Sequence, residues 1–211
     1  MLVSEIISEA RGILQEPDQT FYTDAEFIAW INRALLDFCR LSQLIRDSTT
    51  FLSVADQTDY DYPTGFLKVM YLKYKDTKLV FQDIPKLERF DSEWLSAAAV
   101  AIPSYYYFFK YNKISIYPKP NTTDDIMSIY YIRKATAITA DTQTPEIPEE
   151  YHYALEDYAL AMAKMKDGQY DQAQVFMNNF NAHVYHAKTE GKRLEKYDKV
   201  ANFGRYIFSD R

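Results

Sequence analysis

His183 and His186 stand three residues apart in a stretch of helical periodicity, so both imidazoles would share one helix face. A pair at that spacing is half of a zinc site, which takes four ligands. No Glu-x-x-His or His-Glu-x-x-His pattern supplies the rest, so no metal site is expected. His152, beside Tyr151, reads as a surface or interface group. Cys39 lies between Phe38 and Arg40 on an amphipathic stretch, and the expectation is a buried, inert thiol. One cysteine cannot close an internal disulfide, so packing alone must hold the fold. No serine sits in a Gly-x-Ser-x-Gly elbow. The glycines Gly12, Gly65, Gly168, Gly191 and Gly204 are scattered and make no phosphate-cradling loop. Asp124-Asp125 falls in a turn and Glu149-Glu150 at a helix start, which accounts for both pairs without catalysis. A glycosidase's acids need not be neighbours in sequence, so these pairs do not decide that case. The reading therefore carries no catalytic residue, no cofactor and no metal.

The elements that would position these groups follow from periodicity. Residues 3–14 place Ile6, Ile7, Ala10, Ile13 and Leu14 on one helix face, and Pro17-Asp18 breaks it. Thr23-Asp24-Ala25-Glu26 is a capping box: the Thr23 hydroxyl can accept from the Glu26 N–H while the Glu26 carboxylate reaches back. The helix it opens carries Phe27, Ile31, Ala34, Leu35 and Phe38 inward and runs to about residue 44. Beyond Asp47 the pattern turns to strands. Residues 49–54 are β-branched and apolar, and 66–75 alternate. Asp76-Thr77 is expected to fold 66–75 back onto 78–82 as a hairpin. Residues 85–94 read as a short helix with Leu87, Phe90 and Trp94 inward. Residues 105–110 and 113–117 flank Tyr111-Asn112 as a second hairpin, which Pro118 ends because proline cannot continue a ladder. Residues 126–133 make a further strand. Helix returns after Pro148, where Glu149 and Glu150 complement the positive helix start. Gly168 interrupts it, and a long helix over 171–195 completes an αα-hairpin.

The expected fold is α+β. Residues 1–46 and 146–196 form a helical bundle, 47–145 a β-rich insertion with an antiparallel sheet, and 197–211 an extended C-terminal arm. That arm loses periodicity yet keeps Phe203, Arg205, Tyr206, Ile207, Phe208 and Arg211, residue types that anchor interfaces.

Composition narrows the function classes. With 211 residues, 47% hydrophobic, the chain can bury roughly 70% of its unfolded surface. The first residues carry two acids and no early base, unlike a secretory signal, and the longest apolar run, 97–102, is far short of a membrane span. A net charge of -6 disfavours sequence-specific nucleic-acid binding. The basic stretch at 188–199 is diluted by Glu190, Glu195 and Asp198. Charge is uneven: residues 1–62 hold 11 acids against 4 bases, and 188–211 hold 7 bases against 4 acids. Such asymmetry fits complementary self-contact or a partner for the tail. The 19 tyrosines and 13 phenylalanines suit either an interface or a tyrosine-rich sheet core.

Five pieces occur in an order that resembles one family. They are Asp47-Ser48-Thr49-Thr50-Phe51 ahead of Tyr60-Asp61-Tyr62-Pro63 and Phe66-Leu67-Lys68-Val69; then Ile102-Pro103-Ser104-Tyr105 before an aromatic strand; then Ile114-Ser115-Ile116-Tyr117-Pro118-Lys119-Pro120; then Tyr130-Tyr131; and last Pro145-Glu146-Ile147-Pro148-Glu149-Glu150-Tyr151 leading into alanine-rich helix. From about residue 20 to 188 this order is similar to the tailed-bacteriophage head-to-tail adaptor, or connector, proteins of the portal-bound neck ring.

The resemblance implies a structural virion protein and not an enzyme. It implies a homo-oligomeric ring, commonly a dodecamer, joining the portal protein to a tail nozzle or tail tube protein, with a tail fibre as a further partner. DNA would pass through the lumen without specific binding, no membrane is involved, and the subunit would reside in the host cytoplasm before assembly. Residues 200–211 of the arm would dock on the portal, and Tyr105, Tyr106 and Tyr107 would face a partner. Competing readings are a carbohydrate-binding module stacking sugars on those exposed tyrosines, an enzyme built from distant acids, and another neck component such as a head-completion or stopper protein.

Overall fold

The computed structural model describes residues 1–16, 21–95 and 100–207, with side chains as far as Arg193. The chain divides into two compact units, residues 1–45 with 134–211 and residues 46–133.

The first unit is helical. α1 (Val3–Leu14) opens with the Glu5 carboxylate accepting from the Leu2 N–H at 2.6 Å. α2 (Asp24–Ser42) begins on the expected capping box, with Thr23 Oγ1 accepting from Glu26 N at 3.2 Å and Glu26 Oε2 accepting from Thr23 N at 3.0 Å. A 3-10 turn at Glu149–Tyr151 leads into α4 (His152–Lys166), and Gly168, at φ 75, makes the left-handed turn into α5 (Tyr170–Ile207). α4 packs against α1, α2 and α5. Its alanines Ala154, Ala159, Ala161 and Ala163 are fully buried and let neighbouring backbones approach closely. Around them sit Ile6, Phe27, Ile31, Phe38, Leu155 and Phe180.

Two expectations for these helices change. Ile13 is half exposed although it shares a helix face with Ile6 and Ala10, because it stands in the last turn of α1. His152 is buried, its Nε2 3.0 Å from the Ile147 carbonyl. The 3-10 turn ahead of α4 shifts the helix phase and rotates this residue inward.

The second unit holds two four-stranded sheets. One runs β1-β8-β3-β4, from β1 (Arg46–Leu52), β8 (Ile126–Arg133), β3 (Phe66–Tyr74) and β4 (Thr77–Lys78), all antiparallel. The other runs β2-β7-β6-β5, from β2 (Asp59–Asp61), β7 (Lys113–Tyr117), β6 (Tyr105–Tyr107) and β5 (Val80–Phe81). The single antiparallel sheet expected from sequence is thus two sheets, and β5 pairs parallel to β6. The reason is local. Only Thr77–Lys78 turns back on β3, after which Leu79 plunges into the core and carries the chain across to the second sheet. Leu72, Tyr74, Met127, Ile129 and Tyr131 from the first sheet meet Tyr60, Tyr106, Ile114 and Ile116 from the second in one core. The far side of the second sheet is covered by α3 (Ile84–Phe90) and the turn after it, where Leu87 and Trp94 pack on Tyr107 and Tyr117.

Nine of the described tyrosines are buried in the cores of the two units. Their hydroxyls reach polar partners at the margins: Tyr74 to Asp125 at 2.6 Å, Tyr117 to Asp91 at 2.6 Å, Tyr151 to Glu190 at 2.6 Å. Residues 134–145, grouped with the β part in the sequence reading, are tied to the helices instead. Ala135 N donates to Cys39 Sγ at 3.3 Å, and Asn32 holds Ile138.

Candidate assembly surfaces

The groups with chemical potential come first. Cys39 is fully buried, with its sulfur accepting a backbone N–H. His183 Nε2 lies 3.5 Å from Asp157 Oδ2, and Asn179 Nδ2 donates to Asp157 Oδ1 at 3.3 Å. Burial raises the Asp157 carboxyl above its ordinary value. Next to it Glu156 is buried in α4, pushed up to about 7 by desolvation first and then by the charges of Glu9 and Asp157. Glu156 keeps only 7% of its surface exposed, on a helix whose outward side carries Tyr153 and Met165. Asp125 is the opposite case. It accepts from Thr122 Oγ1, from Tyr74 OH and from Lys75 Nζ at 3.0 Å, and those partners hold it down to about 2. Glu149 pairs with the N-terminal ammonium at 3.1 Å. Among the described residues no three His, Cys, Asp or Glu side chains converge as a metal site. Nor is any described helix long and apolar enough to cross a membrane.

The expected partner-facing aromatics sort differently in space. Tyr106 and Tyr107 are core residues, 7% and 3% exposed, and Tyr105 is half-buried against Phe90. This corrects the reading of β6 as an exposed tyrosine platform. The strand is covered on both faces, by the first sheet and by α3, so alternation hides successive residues on opposite sides. Ring faces for stacking a sugar are not available at Tyr106 and Tyr107. Burial also pushes the Tyr107 phenol up to about 12.

The exposed aromatics lie beside them instead. Tyr111 is 92% exposed at the tip of the β6–β7 hairpin, Phe90 is 69% exposed at the end of α3, and Phe109 stands edge-on to Trp94 at 5.5 Å. Val100 and Ile102 are exposed in the segment leading to β6. On the helical unit Tyr153, Tyr170, Val175 and Tyr185 project outward. Of the tyrosines read from sequence as partner-facing, Tyr106 and Tyr107 are core residues; the turn residue Tyr111, outside any ladder, was the available signal.

α5 continues as helix through Ile207, so residues 197–207, expected as an irregular extended segment, have helical backbone. Lys, Glu, Arg and Ala supply the propensity that the apolar periodicity lacks. The side chains of Phe203, Arg205, Tyr206 and Ile207, and Phe208 and Arg211 entirely, lie outside the described residues.

What the described surface offers is contact area and charge on an α+β scaffold, the equipment of a structural assembly component. Its family follows from comparison. The chain belongs to the SU10 adaptor protein family, whose model matches residues 1–195. The resemblance to phage head-to-tail adaptors therefore holds, and the protein is a structural virion component. No match was found among curated proteins.

Proposed function

We propose that the chain is a ring-forming adaptor that joins the portal to the tail nozzle or tail tube and extends the DNA channel. Family membership over residues 1–195 is the observation that carries this reading. The ring is a homo-oligomer, expected as a dodecamer, and a tail fibre is a further partner. The subunit waits in the host cytoplasm until packaging ends. An overall charge of -6 suits a wall past which a phosphate backbone must slide without sticking.

The portal contact is assigned to the arm, with Phe203, Arg205, Tyr206, Ile207, Phe208 and Arg211 as anchors. Two features support it. α5 has 38 residues against 15 in α4, so its distal part extends beyond the partner helix of its own hairpin. The arm also lies past the residues that the family model matches, as expected of a segment fitted to one particular portal. Electron microscopy of the protein mixed with its portal tests the whole reading, and a density ring beneath the portal is the expected result. Truncation at Val200 tests the arm. Loss of portal binding supports it, and binding at full strength overturns it.

A further inference from the structure

The outer face of the β1-β8-β3-β4 sheet has an unusual make-up. Residues opposite one another in antiparallel strands point to the same face, so the register defines its rows. Arg46, Ile132 and Lys68 form one row, in which Ile132 is buried, and Ser48, Tyr130 and Tyr71 the next. Thr50, Ser128, Lys73 and Lys78 form the third, and Leu52 with Ile126 the last. Every charged residue in these rows is a base. The strand acid Asp47 lies opposite Tyr131, on the core side.

Lys73 and Lys78 sit directly across from each other, an arrangement of like charges that weakens a sheet. Neither makes an ion pair among the described residues; each instead lies over a ring, Lys73 Nζ 5.8 Å from Tyr130 and Lys78 Nζ 4.9 Å from Tyr71. The two rings stack on each other at 4.3 Å. At the far end Leu52 and Ile126 are 54% and 55% exposed as a cross-strand pair. α3 covers the second sheet, not this one.

We propose that this face is a contact between copies of the chain, its lysine row receiving an acidic surface of a second copy while Leu52 and Ile126 bury apolar area against it. The idea rests on the reading of the protein as a homo-oligomer. Charge complementarity selects the occupant, since residues 1–62 of any copy hold 11 acids against 4 bases. The apolar row selects a protein over nucleic acid, whose backbone gives Leu52 and Ile126 nothing to bury against. Ring stacking points the same way, because Tyr71 and Tyr130 already spend a face on each other and offer bases a poor platform. The face covers roughly 400 Å², about half of one partner's share in a stable interface. It sets orientation within a larger contact. A surface meeting a different surface is a heterologous pairing, the type that closes rings.

The test uses the full chain with two paired variants, Lys73→Glu/Lys78→Glu and Leu52→Ser/Ile126→Ser, each checked for an unchanged melting curve. Assembly is followed by sedimentation velocity and negative-stain microscopy across a salt series, and duplex DNA binding by fluorescence anisotropy. The expected result is salt-weakened assembly of the parent chain, at least tenfold weaker in the lysine variant and weakened in the apolar one. Rings of equal affinity from parent and variants would overturn the interface while leaving the ring reading intact. A parent chain that pairs through this face but never closes would do the reverse. Absence of any self-association in the parent, alone and with its portal, would overturn both. Lysine-dependent duplex binding with unchanged assembly would replace the second copy by nucleic acid and overturn the proposal.

Discussion

Asn32 on α2 grips the backbone of Ile138 from both sides: its Nδ2 donates to the Ile138 carbonyl at 2.8 Å, and its Oδ1 accepts from the Ile138 N–H at 2.8 Å. One side-chain amide thereby satisfies both backbone groups of a residue 106 positions away in sequence. It pins the chain as it returns from the strands to the helices. Asn32→Leu leaves both groups unmet, and an unpaired buried polar group costs about 1–3 kcal/mol. The expected loss, read from urea unfolding, is about 2 kcal/mol. A loss below about 0.5 kcal/mol would mean that water replaces the amide.

Glu156 makes stability fall with rising pH. Its carboxyl titrates near 7 in the folded protein against an ordinary 4.5. The folded state therefore holds the proton more tightly, and stability is lost as pH climbs from about 4.5 through 7. The full effect is of order 3 kcal/mol. Glu156→Gln should raise the melting temperature at pH 8 by several degrees and change little at pH 5. Equal shifts at both pH values would show that the carboxyl is solvated in solution.

Asp125 has the opposite sign. Its folded value lies near 2, below the ordinary 3.8, so it stabilises above that range and the contribution disappears as pH falls through about 2. Asp125→Asn should be less stable than the parent at pH 7, with the gap closing near pH 2. Circular dichroism melts across that range would reveal it. A gap of constant size would mean that hydrogen-bond geometry, and not charge, holds Tyr74 and Lys75 there.

Two tyrosines four residues apart should differ widely. Tyr107 packs beneath Trp94 at 5.2 Å, and truncating a buried aromatic to alanine costs about 3–5 kcal/mol. Tyr111 is almost wholly exposed, and Tyr111→Ala should stay within about 0.5 kcal/mol of the parent. Chemical denaturation of both variants separates core from surface. Similar costs would contradict the two-sided covering of β6.

Helices could be read directly from residue order. Val3–Leu14, the Thr23 capping box and the Ile126–Arg133 strand all form where apolar spacing and capping chemistry place them, because those signals act within a few residues. The family order was legible too, since turn-forming Tyr-Pro and Ile-Pro pieces punctuate the chain in one dimension. Sheet membership was not. Whether Val80–Phe81 extends the first hairpin or joins the second sheet depends on which core receives Leu79, and no local pattern records that. The aromatic run Tyr105–Tyr107 marks a strand but is silent on whether one face or both are covered.

The division recurs at the surfaces that matter for assembly. Residue types alone set the acidic N-terminal third, the basic tail and the absence of any Gly-rich phosphate loop, because charge and composition need no folding to be counted. Bringing Lys73, Lys78, Tyr71 and Tyr130 onto one face, and sinking Glu156 among helices, required strand register and helix packing. Those arise from contacts between residues tens of positions apart. Long-range contacts are settled by the shape of the whole core, and a stretch of sequence read by its own periodicity cannot contain them.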